Sequence, residues 1–171
     1  GTPLKERVAG FDFACDMLEE LNELGGRLYL LGAKPGVAEE AAAKIVEQHP
    51  KIVICGTHDG YFKESDPVAR EVAAAQPDLL FVCLGAPKQE KWIARFGLLT
   101  GAKLAIGLGG ALDVFAGNVE RAPEQWQKLG MEWAYRLVKE PKRIGRMAKL
   151  PLVLVKAAGR RASGRGKQRV L

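Results

Sequence analysis

The sequence predicts an α/β fold with a mainly parallel sheet, and three features of the 171 residues support this prediction. Short apolar runs alternate with segments of helical periodicity four times along the chain. The runs are continuous and lack polar alternation, which is typical of parallel strands buried on both faces. Strands that alternate with helices favour βαβ units with right-handed crossovers. We therefore expect a Rossmann-like sheet with flanking helices, followed by a basic C-terminal helical appendage.

The first half of the chain contains two predicted strands and two predicted helices. Asp12 is predicted to cap a helix that ends near Leu24, where two glycines follow. Arg27–Leu31 is the first clear strand, and a glycine-rich turn leads from it into a helix over Val37–Gln48. Ile52–Cys55 is the second strand, and a dense polar loop follows it.

The second half continues the alternation. A helix is predicted over Ser65–Ala75, because a proline stands in its first turn. The runs Leu79–Leu84 and Leu104–Leu108 are predicted strands, and a helix to Leu99 separates them. A further helix is predicted from Pro123 to about residue 138.

Glycine-rich turns follow the predicted strands, and Gln89 would lie in the first turn of the helix after the third strand. In open α/β sheets, ligands bind beyond the carboxyl ends of the strands, and helix N-termini attract phosphate. These turns therefore suggest a site for a phosphorylated ligand. An alternative, which spacing alone leaves open, is that the glycines only make tight turns.

The polar loop at 56–62 places Thr57, His58 and Asp59 side by side after the second strand. A hydroxyl, an imidazole and a carboxylate are suited to binding sugar hydroxyls or to acid–base chemistry. The alternative is an Asp-Gly turn with a solvated histidine.

The composition indicates one folded domain, because 47% hydrophobic residues argue against disorder. No signal peptide and no apolar run of the roughly 18 residues needed to span a bilayer is present. Cys15, Cys55 and Cys83 show no paired pattern, and Cys55 and Cys83 lie in apolar strands as expected of buried thiols. This usage favours a reducing cytoplasm, and the spacing predicts neither a metal site nor a cofactor.

The charge is distributed unevenly. Residues 1–138 hold 15 basic and 19 acidic residues, whereas residues 139–171 hold 11 basic residues and one acid. We therefore divide the chain into an α/β core, 1–138, and a basic appendage, 139–171, which is expected to be disordered from Gly159 onward. Such a tail is expected to bind polyanions, either an anionic membrane surface or a nucleic acid.

Two classes of function are disfavoured. The acidic core lacks a basic face and a nucleic-acid motif, so nucleic acid is not expected as a partner. A dinucleotide-dependent dehydrogenase is disfavoured because no G-x-G-x-x-G follows a strand with an acid about 20 residues later.

Six motifs occur in the order found in a known enzyme family. They are E-R-V-A-G-x-D at 6–12, L-G-x-K-P-G-V-A at 31–38, G-T-H-D-G-Y-F at 56–62, L-G-A-P-K-Q-E-K-W at 84–92, G-x-G-G-A-x-D at 107–113, and R-A-P at 121–123 leading to G-M-E-W-x-Y-R at 130–136. Together they resemble the WecG/TagA/CpsF glycosyltransferases over about residues 6–146, and within that family the TagA-type enzymes of wall teichoic acid synthesis.

The resemblance implies an inverting transfer of N-acetylmannosamine from UDP-ManNAc to the 4-hydroxyl of GlcNAc on undecaprenyl diphosphate. The product would be the ManNAc-β-1,4-GlcNAc linkage unit of a cell-wall polymer. The implied partners are a UDP-sugar donor, a lipid-diphosphate acceptor and, through the basic tail, an anionic membrane surface. The implied location is cytoplasmic, peripheral on the inner face of the cell membrane, and a homo-oligomer is left open.

Residues that match the family's motifs are candidates for the site. The candidate catalytic residues are Arg7, Gln89, Arg136, Arg143 and Arg146. The candidate substrate-binding residues are Gly32, Lys34, Gly36, Thr57, His58, Asp59, Gly60, Tyr61, Gly85, Ala86, Pro87, Gly109, Gly110, Asp113 and Arg121. The general base proposed for the family belongs to a segment that would precede Gly1, so Asp59 and Asp113 are its nearest substitutes here.

Three alternatives accompany this interpretation. The chain could be a non-catalytic UDP-sugar-binding module, or it could transfer the uronic acid form of ManNAc. The appendage arginines could be solvated helix charge instead of ligands of the diphosphate.

Overall fold

A computed structural model describes residues 10–120 and Pro123, and residues 10–120 belong to one compact unit that ends at Glu120. Its elements are α1 (Gly10–Leu24), β1 (Arg27–Gly32), α2 (Val37–Gln48), β2 (Val53–His58), α3 (Ser65–Ala75), β3 (Leu79–Cys83), α4 (Lys88–Thr100), β4 (Leu104–Gly107) and α5 (Ala111–Phe115). The four strands form one parallel sheet in the order β2–β1–β3–β4, which confirms the predicted α/β fold. The predicted helix over 123–138, the predicted core boundary at 138 and the basic appendage lie outside the described residues.

Most predicted elements are confirmed, and the differences occur where pairing or chain geometry overrides the local sequence. The helices α2 and α3 have the predicted bounds. The helix α1 begins at Gly10, so Asp12 lies within its first turn and the prediction that it caps the helix is wrong. The strand β2 continues to His58 because its polar end pairs with β1. The short helix α5 was not predicted.

The sheet separates two apolar layers because successive strand residues point to opposite faces. On one face, Leu28, Leu30 and Phe81 pack with the buried residues of α1, α2 and α5. On the other face, Tyr29 and Leu80 pack with the buried residues of α3 and α4. Burying one such large side chain stabilises the fold by about 1.5–3 kcal/mol, so the two layers hold the strand ends in place.

The three cysteines of the sequence lie in the described part of the chain and are free thiols. Cys83 is buried, as predicted, but Cys55 on the edge strand β2 is only partly buried, so that part of the expectation is wrong. None of the helices described between residues 10 and 120 is long and apolar enough to cross a membrane.

Candidate functional site

The carboxyl ends of the strands bring several turns together at one edge of the sheet, which we call the carboxyl edge. The N–H of Ala33 donates to the carbonyl of Cys83 over 3.2 Å, and the N–H of Gly60 donates to the carbonyl of Ala33 over 2.9 Å. The N–H of Leu108 donates to the carbonyl of Val82 over 3.0 Å. The carboxyl edge therefore gathers segments 32–36, 56–62, 84–87 and 107–113, as expected for a ligand site in an open α/β sheet.

Backbone segments approach each other closely at Gly32. Its φ angle is 131°, and a Cβ atom built on it would overlap the backbone carbonyl of Cys83. A side chain at this position would therefore separate β1 from the turn after β3. Gly36 also has a positive φ, of 87°, but a Cβ atom there would meet nothing within 4 Å.

The polar segment at 56–62 does not present its three functional groups together, which corrects the expectation of a hydroxyl, an imidazole and a carboxylate acting side by side. Thr57 and His58 are strand residues, so they point to opposite faces of the sheet. Thr57 Oγ1 donates to Glu39 of α2 over 3.0 Å, whereas His58 packs edge-on against the ring of Phe62 at 5.6 Å. Asp59 Oδ1 accepts the N–H of Tyr61 over 2.6 Å. This carboxylate therefore shapes the Asp-Gly turn that the alternative interpretation predicted.

His58 lies near a hydrogen-bonded pair, Tyr29 and Glu71, that the sequence did not reveal. Its Nδ1 lies 2.8 Å from the carbonyl oxygen of Asp59, and because a carbonyl only accepts, Nδ1 is the donor. Its Nε2 lies 3.9 Å from Glu71 Oε2. The other carboxylate oxygen of Glu71 accepts the hydroxyl of Tyr29 over 2.6 Å. Glu71 is therefore hydrogen-bonded to Tyr29 and lies near His58, and we call these three residues the Tyr29–Glu71–His58 group.

Burial raises the pKa of the Tyr29 phenol above its ordinary value, and the hydrogen bond to Glu71 raises it further. Glu71 looks like an ordinary exposed helix residue in the sequence. In the sequence, Tyr29 could have indicated such a partner, because a tyrosine in an otherwise aliphatic buried strand needs a polar group to bond its hydroxyl.

Gln89 lies in the first turn of α4, as predicted, and only 5% of it is exposed. Its Oε1 accepts the N–H of Gly109 over 2.8 Å, and its Nε2 donates to Glu90 Oε1 over 3.0 Å. Gly107 lies so close that a Cβ atom there would be 2.8 Å from Gln89 Nε2. Gln89 therefore holds the 107–110 turn against α4, and its contact with sugar or diphosphate stays a prediction.

Asp113 lies in α5 and is partly buried, and, besides burial, its negative charge contributes to the raised pKa of the buried Cys83 thiol. Burial raises the pKa of Cys83 to about 12, so this thiol is protonated at neutral pH and is no nucleophile. Asp59 follows β2 and Asp113 follows β4, and β1 and β3 lie between these two strands in the sheet.

Most of the predicted cationic site residues lie in parts of the chain that the structure does not describe. Arg7, Arg121, Arg136, Arg143 and Arg146 lie outside the described residues. At the carboxyl edge itself, Lys34 is exposed, and the ammonium group of Lys88 donates to the carbonyl of Gly60 over 3.0 Å. That ammonium group also lies 4.7 Å from the ring centroid of Phe62, so Lys88 fastens segment 56–62 to α4.

The clefts in the described part of the chain include two of similar volume. One, of about 430 Å³, lies at the amino ends of the strands and includes Arg27, Asp78 and Lys103. The other, of about 390 Å³, runs beside α4 and includes Pro87 and Trp92. Within residues 10–120, no group of three or more His, Cys, Asp or Glu side chains is placed to hold a metal ion.

Comparisons with known proteins agree with the motifs. The model of the glycosyl transferase WecG/TagA/CpsF family matches residues 1–167. A protein of Bacillus subtilis (strain 168) is 43% identical over 148 residues, which are 86% of this chain and 58% of the relative. It is named N-acetylglucosaminyldiphosphoundecaprenol N-acetyl-beta-D-mannosaminyltransferase.

Two further relatives carry the same name. The protein of Bacillus spizizenii (strain ATCC 23059 / NRRL B-14472 / W23) is 40% identical over 151 residues, 88% of this chain and 59% of the relative. That of Staphylococcus aureus (strain MRSA252) is 35% identical over 156 residues, 91% of this chain and 61% of the relative. The chain thus spans about three fifths of the length of these relatives.

Proposed function

Since this chain belongs to the WecG/TagA/CpsF glycosyltransferase family, we propose that it acts in the transfer of N-acetylmannosamine from UDP-ManNAc to undecaprenyl-diphosphate-linked GlcNAc. One observation carries the proposal: four separate motif segments meet at the carboxyl edge, where an α/β sheet binds its ligand. The relatives' names, which specify a mannosaminyltransferase and a lipid-diphosphate GlcNAc acceptor, support it.

The proposed reaction inverts the anomeric carbon. The bond between the sugar C1 and the UDP oxygen breaks, a bond from the acceptor O4 to C1 forms, and a base takes the acceptor proton. The departing diphosphate needs cations or N–H dipoles, which the N-terminus of α4 and Lys34 offer at the carboxyl edge. Asp59 keeps one carboxylate oxygen beyond its bond to Tyr61, so it and Asp113 are the candidate bases of the described chain.

The proposed division of roles follows from the contacts. The turns 32–36, 84–87 and 107–110 bind the nucleotide sugar, and the arginines outside the described residues stabilise the diphosphate. Gln89 links the last two turns, because its backbone N–H donates to Gly85 over 3.0 Å and its side chain accepts the N–H of Gly109. Arg143→Ala, in a chain that carries the family's N-terminal segment, is expected to lower turnover by at least about tenfold. Wild-type turnover in that variant would remove Arg143 from the site.

The deciding experiment is an assay of sugar transfer from UDP-ManNAc to a short-chain lipid-diphosphate GlcNAc acceptor. It compares this chain with a version extended by the N-terminal segment of the Bacillus subtilis relative. Activity only in the extended version would support the family reaction with a base in that segment. Activity in both would assign the base to Asp59, Asp113 or another residue of this chain.

The same assay separates the alternatives. Bound UDP-sugar without transfer in either version would favour a non-catalytic binding module and overturn the proposal. Transfer from the uronic acid donor in preference to UDP-ManNAc would replace the donor.

We also propose a location at the inner face of the cell membrane, because residues 139–171 carry a net charge of +10. Binding to anionic vesicles is expected to weaken with salt, since exposed charges are screened within about 8–10 Å at 0.1–0.15 M. Binding that survives deletion of residues 139–171 unchanged would end this tail proposal.

A further inference from the structure

The exposed side of α4 carries three cations and two leucines in one stripe, which we call the outer face of α4. Its members are Lys88, Lys91, Arg95, Leu98 and Leu99. At 100° per residue these positions fall within about 100° of the helix circumference. Leu98 is fully exposed and Leu99 is 50% exposed, whereas the packing of α4 rests on buried residues such as Trp92 and Phe96.

The charge of this face is unbalanced. Lys91 and Arg95 form no ion pair within the part of the chain that the structure describes. Glu90, the one acid of α4, lies on the other side of the helix and accepts a hydrogen bond from Gln89. The guanidinium group of Arg95 lies 5.1 Å from the ring centroid of Phe96, a contact that leaves its charge without an acidic partner. The outer face therefore combines positive charge that no described acid neutralises with apolar side chains.

An apolar cleft of about 390 Å³ lies alongside this face. Its lining includes Pro87, Trp92 and Phe96 together with the three cations of the outer face. The indole N–H of Trp92 is buried and has no hydrogen-bond acceptor among the described residues. The cleft extends the apolar surface beside the cations.

We propose that the outer face of α4 docks on a bilayer that contains anionic phospholipids, with Lys91 and Arg95 at the lipid phosphates and Leu98 and Leu99 at the acyl boundary. Basic residues beside exposed leucines are the pattern of helices that lie in a membrane interface. Each basic residue near such a surface strengthens binding by a factor of about five. A nucleic acid would be attracted by the cations but would leave the two leucines in water.

Docking through the outer face of α4 would bring the bilayer to the carboxyl edge, and this step rests on the proposed function. The helix α4 begins at the carboxyl edge, with Gln89 in its first turn, and is about 20 Å long. A bilayer along the helix would therefore lie beside the edge to which a lipid-linked acceptor must come. Membrane contact can be measured without sugar transfer, so its test does not depend on that reaction.

The experiment uses the full chain with the photocrosslinking residue benzoylphenylalanine in place of either Leu98 or Leu24. Leu24 is the matched control, because it is 80% exposed and ends a different helix. Vesicles of phosphatidylcholine with about one third phosphatidylglycerol are irradiated, and lipid bound to the protein is measured by mass spectrometry. This readout reports which surface faces lipid even when the basic tail also holds the protein on the vesicle.

We expect lipid crosslinks at position 98 to exceed those at position 24 by at least about tenfold, and to need the anionic lipid. The double reversal Lys91→Glu and Arg95→Glu should lower the crosslinking at position 98 by at least about tenfold. The control reversal Lys51→Glu and Arg70→Glu changes the net charge equally on exposed residues outside α4 and should leave it unchanged. Equal crosslinking at both positions, crosslinking at neither, or loss in both double variants would overturn the proposal.

Discussion

The two ends of the sheet both gather charged side chains, but the amino end uses them to neutralise one another. There, Asp78 accepts the backbone N–H of Arg27 over 2.8 Å and the ammonium group of Lys103 over 2.7 Å. The guanidinium group of Arg27 donates to the carbonyls of Ala75 and Gln76, where α3 ends. Each charge has a partner on another element, so this end stabilises the fold.

The carboxyl end is held together by its backbone instead. Three backbone N–H groups bridge its turns, glycine allows the closest approach at Gly32, and Gln89 provides the main side-chain link. The side chain of Thr57 bonds to α2 on one face of the sheet, and that of His58 lies near Glu71 of α3 on the other. The difference teaches that the amino end supplies stability, while the carboxyl end keeps a precisely shaped backbone surface for a ligand.

The largest effect expected from this contrast is that of Gly32→Ala. The new Cβ would overlap the carbonyl of Cys83 in a backbone conformation that L residues rarely adopt. We expect the free energy of unfolding to fall by about 3 kcal/mol or more, measured by urea denaturation. Gly36→Ala is the control, because its Cβ would meet open space, and should cost only about 1 kcal/mol. Equal losses of unfolding free energy in the two variants would show that the close approach of Gly32 to Cys83 does not contribute to stability.

At the amino end, Asp78→Ala should lower the free energy of unfolding at pH 7 by about 2 kcal/mol and leave turnover unchanged. The hydrogen bond from Lys103 and that from the Arg27 N–H hold the pKa of Asp78 below its ordinary value. The Asp78 carboxylate therefore contributes its full share to the free energy of unfolding above the ordinary pKa of about 3.9. This share disappears as the pH falls through the lowered pKa. Wild type and variant should converge in acid.

Glu23→Ala, which removes the exposed ion pair with Lys51, serves as control for Asp78→Ala and should cost at most about 1 kcal/mol. An equal cost for both changes would mean that the amino end is no more stabilising than an ordinary surface pair.

Gln89→Ala tests the carboxyl end of the sheet. It frees the N–H of Gly109 and should lower turnover by at least about tenfold, in a chain that carries the family's N-terminal segment, with the fold intact. Tenfold corresponds to about 1.4 kcal/mol of transition-state stabilisation. Glu90→Ala removes the partner of the other amide atom and should have a smaller effect. Turnover at the wild-type level in Gln89→Ala would separate this residue from the reaction.

Local pattern predicted most of the fold. The helices α2 and α3 were bounded correctly because helical periodicity and turn residues lie next to each other in the sequence. The continuation of β2 was missed because Gly56, Thr57 and His58 are polar or small, and only their pairing with β1 makes them a strand.

The site was predictable as a place but not as a set of contacts. Strand ends followed by glycine indicated the carboxyl edge, and the first-turn position of Gln89 was confirmed. The bond from Gly109 to Gln89 spans 20 residues, and that from Tyr29 to Glu71 spans 42. Such pairs depend on which helix packs on which face, which spacing along the chain does not encode.

The smallest effect concerns Tyr29→Phe, which removes the hydroxyl that Glu71 accepts and should cost about 1 kcal/mol at pH 7. Burial raises the pKa of Tyr29, so the phenol holds its proton more tightly in the folded chain than in the unfolded one. The contribution of the protonated Tyr29 phenol to the free energy of unfolding is therefore complete below the ordinary pKa of about 10. It is lost as the pH rises from there through the raised pKa of the folded chain.

Alkaline unfolding distinguishes this buried phenol from an exposed one. Between about pH 9 and pH 11, Tyr29→Phe should lose less stability than the wild type, as followed by urea denaturation. Tyr61→Phe is the matched control, because Tyr61 is 70% exposed, and should follow the wild-type curve. If Tyr29→Phe and wild type declined in parallel, the hydrogen bond from Tyr29 to Glu71 would not contribute to holding α3 on the sheet.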